Sequence, residues 1–97
     1  DDICKHLKKT GSWFFRPYMA GFGKSGVADI IACVPVVITQ EMVGKKIGAF
    51  VAVEVKRDGK MLSKLQAHRI DEIHACSGQA FWGTADKVIP EIEQWRK

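Results

Sequence analysis

Two apolar segments separated by one helical pattern constrain the fold of this chain more than any other feature. The first, GAFVAVEVK at positions 48–56, alternates like a half-buried strand, and the second, QAFWG, occupies positions 79–83. Between them, positions 62–78 carry apolar residues at helical spacing and end at Gly78. A strand, a helix and a strand of this combined length fit a βαβ crossover, so we expect the two strands to be parallel.

Shorter patterns before and after this unit complete one α/β domain. A short N-terminal helix leads into predicted strands at positions 12–16 and 27–34. Positions 84–97 indicate a last helix that is interrupted or restarted at Pro90. The predicted order is α, β, β, β, α, β, α, and 97 residues suffice for one modest core in a single domain, 1–97.

Charge and cysteine content narrow the classes of protein to consider. The chain has 15 Lys and Arg against 11 Asp and Glu, and this mild excess permits an anionic partner such as nucleic acid. Of the three cysteines, Cys33 and Cys76 have apolar neighbours and indicate reduced core residues rather than a zinc site. No apolar run approaches the ~20 residues of a membrane span, and no signal peptide is visible. We therefore expect a cytoplasmic protein that is not secreted.

Three ionisable residues lie in otherwise apolar strand segments. Asp29 falls within GVADIIACV, while Glu54 and Lys56 are two positions apart on one strand face. Asp29 can simply be exposed at the start of its strand, and Glu54 can pair with Lys56, because a buried carboxylate needs a cation.

A Mg²⁺ site accounts for all three residues together. Asp29 and Glu54 would supply carboxylate ligands, and the carbonyl of Val55 would add a third protein oxygen. Lys56 would hold a water or neutralise charge on a phosphate oxygen. Hydrolysis of a phosphodiester requires this set of groups.

The helix after this strand begins with a capping signature. SKLQ at positions 63–66 fits a capping box, with Ser63 as N-cap and Gln66 reaching back to the backbone. Gln66 also lies near the predicted site, so a capping role and a role at the site are both open. His68 and His74, farther along the helix, are expected to be solvated or packed.

Basic and aromatic side chains suggest where DNA would bind. Between Lys45 and Lys64 there are six basic residues and two acidic ones, which is usual for a solvated face but also suits a phosphate backbone. The aromatic run at positions 13–15 can serve core packing, a dimer contact or base stacking. The DNA-binding residues that we expect are Arg16, Lys24, Arg57, Lys60 and Lys64.

The order of these motifs resembles a known nuclease superfamily. An Asp in GVADII, then EVK on the next strand, then LSKLQ opening a helix, is similar to the PD-(D/E)xK pattern. Within that superfamily the chain most resembles the virus-type replication-repair nuclease domain, VRR-NUC, from the first helix to AFWG. The E-x-K triplet alone is common by chance, whereas the ordered set of three motifs is more specific.

The resemblance implies a fold, an activity and a cofactor. The fold would be a central mixed β-sheet flanked by helices, with a restriction-endonuclease-like αβββαβ core, and the activity Mg²⁺- or Mn²⁺-dependent cleavage of DNA. Asp29 and Glu54 would become metal ligands, Lys56 the catalytic lysine, and Gln66 the glutamine that supports the site. Small stand-alone phage-type members resemble Holliday junction resolvases and act as homodimers on branched DNA. This chain looks like that form, which would function in the host-cell cytoplasm.

Two departures from the family pattern keep other functions open. Ala28 stands where the superfamily often has Pro, and the first helix offers Asp1 and Asp2 where members commonly carry a Glu. Either Asp2 substitutes, or the Glu lies outside this chain, or the function is altered. The alternative functions are a non-catalytic nucleic-acid-binding module of the same fold and a protein-interaction domain in which Glu54 and Lys56 pair.

Overall fold

The described residues form a mixed α/β structure of three helices and two small sheets. The computed structural model describes residues 2–18, 26 and 28–97. The predicted order of helices and strands is confirmed, with a 3₁₀ turn at Gln40–Met42 before the third strand. The elements are α1 (Asp2–Lys9), β1 (Trp13–Phe15), β2 (Ile31–Cys33), β3 (Val51–Val55), α2 (Lys64–Ala75), β4 (Gln79–Gly83) and α3 (Ala85–Trp95). No helix in this part of the chain has the length and apolar character to cross a membrane.

Strands β3 and β4 form the parallel pair that the sequence predicts. Their register runs from Val51 opposite Gln79 to Val55 opposite Gly83, with α2 as the crossover. β3 is shorter than the predicted 48–56, because positions 48–50 precede the regular ladder. The parallel arrangement brings the carboxyl ends of both strands to one edge of the sheet.

Strands β1 and β2 form a separate antiparallel pair. Their register runs from Trp13 opposite Cys33 to Phe15 opposite Ile31. β2 is shorter than the predicted strand 27–34, because its ladder covers only the three residues that lie opposite β1. Within the described residues no ladder joins β2 to β3, so the single central mixed sheet is not confirmed.

The buried core is formed by side chains that lie on or next to β2, α2, β4 and α3. Cys33 and Cys76 are buried and not disulfide-bonded, which confirms the prediction that they are core residues. Burial raises the pKa of the Cys33 thiol to about 11, and hydrogen bonding to Cys76 contributes, so the thiol stays protonated at neutral pH. The other buried apolar residues are Ile73, Ala80 and Val88.

Helix α3 runs through Pro90 without a break, so the predicted interruption is wrong. Proline removes one helical N–H, which leaves the carbonyl of Asp86 without its partner four residues on. Both residues are exposed, so water can satisfy that carbonyl. Phe81 of β4 meets Trp95 at 6.2 Å between ring centroids, which holds the end of the helix against the sheet.

The C-terminus of α2 ends differently from the prediction that Gly78 stops it. Ser77 adopts the left-handed conformation, with φ 72°. The Ser77 N–H donates to the His74 carbonyl, and the Gly78 N–H donates to the Ile73 carbonyl, both at 3.0 Å, as in a Schellman motif. Gly78 is needed for space instead: a Cβ there would lie 2.8 Å from Cys33 Sγ and 2.9 Å from Ile73 Cγ2.

These roles predict opposite effects of two neighbouring substitutions on stability. Ser77→Gly should raise the free energy of unfolding by about 0.5–1 kcal/mol, because it relieves the cost of a left-handed non-glycine residue. Gly78→Ala should lower the free energy of unfolding by about 1–3 kcal/mol, because the methyl group overpacks the contact with Cys33. Urea denaturation followed by circular dichroism measures both. A neutral Gly78→Ala variant would show that the close approach is not a constraint.

Candidate active site

Glu54 and Lys56 lie on one face at the carboxyl end of β3. Both residues are half-buried, and Glu54 is in register with Trp82 of β4. The Lys56 N–H donates to the Gly83 carbonyl at 2.9 Å, which extends the ladder one residue beyond β3. The strand period therefore places a carboxylate and an ammonium side by side where the parallel pair ends.

Glu54 and Lys56 do not form the salt bridge that a purely structural pair would make. Within the described residues neither side chain has an ion-pair or hydrogen-bond partner. None of the buried side-chain oxygen or nitrogen atoms described lacks a partner, so the unpaired Glu54 carboxylate keeps contact with water. A half-buried carboxylate that forms no ion pair is able to accept a cation.

Gln66 has the capping role and also lies at the site. Its side-chain oxygen accepts from the Ser63 N–H at 2.9 Å, and the Ser63 hydroxyl accepts from the Gln66 N–H at 3.1 Å. The predicted capping box is thus confirmed. Gln66 and Glu54 also line one cavity of about 280 Å³ between β3 and α2. The cap fixes the glutamine beside the carboxylate, so the two roles are compatible.

The carbonyl of Val55 points away from β4. The Gln79 N–H donates to the Phe50 carbonyl, and the Lys56 N–H donates to the Gly83 carbonyl. In a parallel ladder these bonds mean that even-numbered residues of β3 bond to β4, while Val51, Val53 and Val55 face the opposite edge. That edge is unpaired within the described residues, so the Val55 carbonyl is available as an oxygen ligand.

Asp29 is placed apart from the other residues of the predicted site. It is exposed in a bend two positions before β2, rather than inside a strand. It lines neither the cavity of Glu54 and Gln66 nor the basic cavity at the end of β3 and β4. The structure therefore joins Glu54 to Gln66 in one cavity and to Lys56 on one strand face, and it shows no such link for Asp29.

The donor set suits a hard cation only in part. Carboxylate and carbonyl oxygens are ligands that Mg²⁺ and Mn²⁺ accept, with water completing the shell. Glu54 and the Val55 carbonyl fit this chemistry where they stand. Among the residues that the structure describes, no three His, Cys, Asp or Glu side chains cluster as a metal site.

Two of the predicted DNA-binding residues line one cavity, and the others do not share a site with them. Arg57 and Lys60 line a cavity of about 200 Å³ together with Lys56. Lys64 is exposed as the first residue of α2. Arg16 is exposed and donates to Cys4 Sγ at 3.5 Å. Lys24 lies outside the described residues.

Two further residues at these cavities are absent from the predicted site. Arg69 lines the cavity of Glu54 and forms an ion pair with Glu72 at 2.8 Å, which lowers the pKa of that carboxyl. Its spacing three residues after Gln66, on the same helix face, could have identified it. Lys87 lines the basic cavity from α3, and its position depends on tertiary packing that no local pattern indicates.

The histidines and aromatic residues occupy packed or exposed positions. His68 is exposed at 3.7 Å from Glu72, and His74 Nε2 lies at 3.2 Å from the Ala80 nitrogen and 3.3 Å from its oxygen. Trp13 meets Phe50 at 5.8 Å between ring centroids, which favours core packing for this member of the aromatic run. Phe15 remains 42% exposed.

No family model, curated protein or solved structure matches this chain. Function must therefore be argued from the residues that the fold brings together. Those residues are one half-buried carboxylate, one lysine beside it, a capped glutamine and a group of cations at the adjoining edge.

The capping box predicts that substitutions of Ser63 and Gln66 have different effects on the free energy of unfolding. Ser63→Ala should lower the free energy of unfolding by about 1 kcal/mol, because the Gln66 N–H loses its acceptor. Gln66→Glu should leave the free energy of unfolding nearly unchanged, because glutamate also completes a capping box. Urea denaturation of the two variants measures the difference. Equal losses of stability in the two variants would show that the helix start needs the Gln66 amide as well as the Ser63 hydroxyl.

Proposed function

We propose that this chain is a Mg²⁺- or Mn²⁺-dependent endonuclease that hydrolyses phosphodiester bonds in DNA, with branched DNA such as Holliday junctions as substrate. The observation that carries the proposal is the environment of the Glu54 carboxylate. Glu54 is half-buried, has no ion-pair partner among the described residues, and shares a cavity with Gln66 beside Lys56. The resemblance of GVAD, EVK and SKLQ to the VRR-NUC pattern supports it.

The chain's own residues would divide the chemistry among them. Glu54, Asp29 and the Val55 carbonyl would hold the ion, which when bound supplies positive charge and lowers the pKa of water. Lys56 would neutralise charge on the phosphate oxygens as negative charge develops there. Gln66, fixed by its capping box, would orient groups that enter the shared cavity.

The proposal requires Asp29 to lie near the end of β3. Two contacts favour an arrangement of β2 along β3 that would bring it there. Cys33, the last residue of β2, packs against Gly78 at the start of β4, and Trp13 packs against Phe50 at the start of β3. An antiparallel approach of β2 to the open edge of β3 from this point would carry Asp29 toward Val55.

A second candidate function is a nucleic-acid-binding module without catalysis. The exposed position of Asp29, away from both cavities, favours it. Such a module would bind DNA in a salt-dependent and Mg²⁺-independent manner and would give no product with any divalent ion.

Cleavage of a synthetic four-way junction tests the endonuclease. With Mg²⁺, Glu54→Gln and Lys56→Gln should each lower the rate at least about 100-fold, because the first removes a charged ligand of the ion and the second removes positive charge at the reacting phosphate. Asp29→Asn should have a similar effect if Asp29 is a ligand. The matched controls are Glu93→Gln on α3 and Lys9→Gln on α1, both exposed, which should cut at the wild-type rate.

The outcomes separate the candidate functions. Equal cutting by all variants would contradict the assignment of the site. Binding without product in Mg²⁺ and Mn²⁺ would favour the non-catalytic module, and absence of binding at low salt would exclude both.

We further propose that the endonuclease is a homodimer. Two symmetric cuts in a junction need two sites, and one small domain offers limited surface for a branched duplex. Positions 34–47 leave several large apolar side chains exposed, as an interaction surface does. These residues are Val34, Val36, Val37, Ile38, Val43 and Ile47.

Substitution within this apolar segment tests the dimer. Light scattering should give a mass of twice 10.8 kDa for the wild type. Val37→Asp should shift the mass toward the monomer, because Val37 is 85% exposed and a carboxylate there opposes burial. Ile3→Asp, at a 62% exposed position on α1, is the matched control and should remain dimeric. A monomeric wild type would contradict the proposal.

A further inference from the structure

The carboxyl ends of β3 and β4 open onto a cavity that the proposed chemistry does not use in full. The cavity is about 200 Å³ and is bounded by positions 56–61, by Trp82 and Gly83 of β4, and by Thr84 and Lys87. It is smaller than the roughly 300 Å³ at which typical ligand pockets begin, so it suits one phosphate group better than a base. Crevices beyond the carboxyl ends of parallel strands are where α/β proteins commonly bind such groups.

The charge around this cavity is strongly positive. Its lining contains Lys56, Arg57, Lys60 and Lys87 against a single carboxylate, Asp58. Within the described residues the first three have no ion-pair partner, and Lys87 has Glu91 at 3.3 Å. Cations that gather without counterions raise the local potential and attract an anion.

Lys87 is fixed in place by the end of β4. Its Nζ donates to the Trp82 carbonyl at 2.7 Å and lies 4.5 Å from the centroid of the Trp82 ring. Gly83, with φ 134°, makes room for the lysine stem, because a Cβ there would lie 2.9 Å from Lys87 Cδ. The ammonium group is thus held at the cavity rather than left to sample solvent.

The beginning of α3 adds backbone donors near the same cavity. Thr84 is the N-cap, and its side chain makes no capping hydrogen bond. Thr84 also lines the cavity, so the first N–H groups of the helix begin at its wall. The cations supply most of the positive potential at the cavity, and the partial positive charge of the helix start adds to it.

We propose that this cavity binds a backbone phosphate of the DNA strand, next to the phosphate that is cut, with Arg57, Lys60 and Lys87 as its ligands. The inference rests on the proposed function for its ligand. Lys56 belongs both to the site of Glu54 and to the wall of this cavity, which makes the two phosphates neighbours on one strand. Contacts of this kind position the substrate and carry no sequence information.

Salt-dependent DNA binding tests the pocket without requiring cleavage. A fluorescein-labelled four-way junction is titrated with protein in Ca²⁺ over a series of KCl concentrations. Lys60→Gln and Lys87→Gln should each weaken binding roughly tenfold at low salt, because each removes a charged hydrogen bond. Each should also reduce the slope of log K against log salt by up to about 1. Lys60→Arg keeps the charge and should bind like the wild type, as should Lys9→Gln, which lies on α1 outside the cavity.

The outcomes distinguish failure of the pocket from failure of the nuclease. If the wild type binds and the two Gln variants bind equally well, the pocket is overturned and the endonuclease stands. If the Gln variants lose affinity while the wild type gives no product in Mg²⁺ or Mn²⁺, the pocket is supported and the endonuclease is overturned. If the wild type does not bind the junction at all, both the proposed function and the assignment of DNA as the ligand of the pocket are overturned.

Discussion

The parallel ladder between β3 and β4 determines the position of nearly every residue that matters at the candidate site. Its register places Glu54 opposite Trp82, and the bond from Lys56 to Gly83 places the lysine where both strands end. The crossover through α2 then delivers Gln66 to the same face, because the helix begins soon after the strand finishes. The return into α3 brings Lys87 to the same edge. A shift of one residue by β3 in this ladder would move Glu54 and Lys56 to the other face of the sheet.

The two edges of this sheet differ in the hydrogen bonding of their outward backbone groups. On β4, His74 Nε2 bonds to one of the two outward backbone groups of Ala80, the N–H or the carbonyl according to its tautomer, and the Lys87 ammonium donates to the carbonyl of Trp82. These contacts close an edge that would otherwise invite another strand. On β3, within the described residues, the outward groups of Val51, Val53 and Val55 have no such cover. The exposed edge therefore lies beside the candidate site, where an added ligand or strand has backbone groups to contact.

The sequence predicts those features that depend on local spacing. The βαβ unit, the shared face of Glu54 and Lys56, and the capping box at Gln66 each follow from residues a few positions apart, and the structure has all three. Glycine usually takes the left-handed conformation, so the sequence predicts that Gly78 ends α2, yet Ser77 takes this conformation and Gly78 packs against Cys33. Distant contacts set the rest. Neither the separation of β2 from β3 nor the arrival of Lys87 has a local signal.

Glu54 and Lys56 share a strand face, yet they form no salt bridge in the structure. Residues two apart on one face are separated by roughly 6.6–6.8 Å along the strand, and their side chains project in parallel. Neither residue has another partner of opposite charge there. A cation beside Glu54 would neutralise the carboxylate, and an anionic phosphate beside Lys56 would neutralise the ammonium. Because the cation and the phosphate also attract each other, a metal ion and a DNA strand would satisfy both side chains at once.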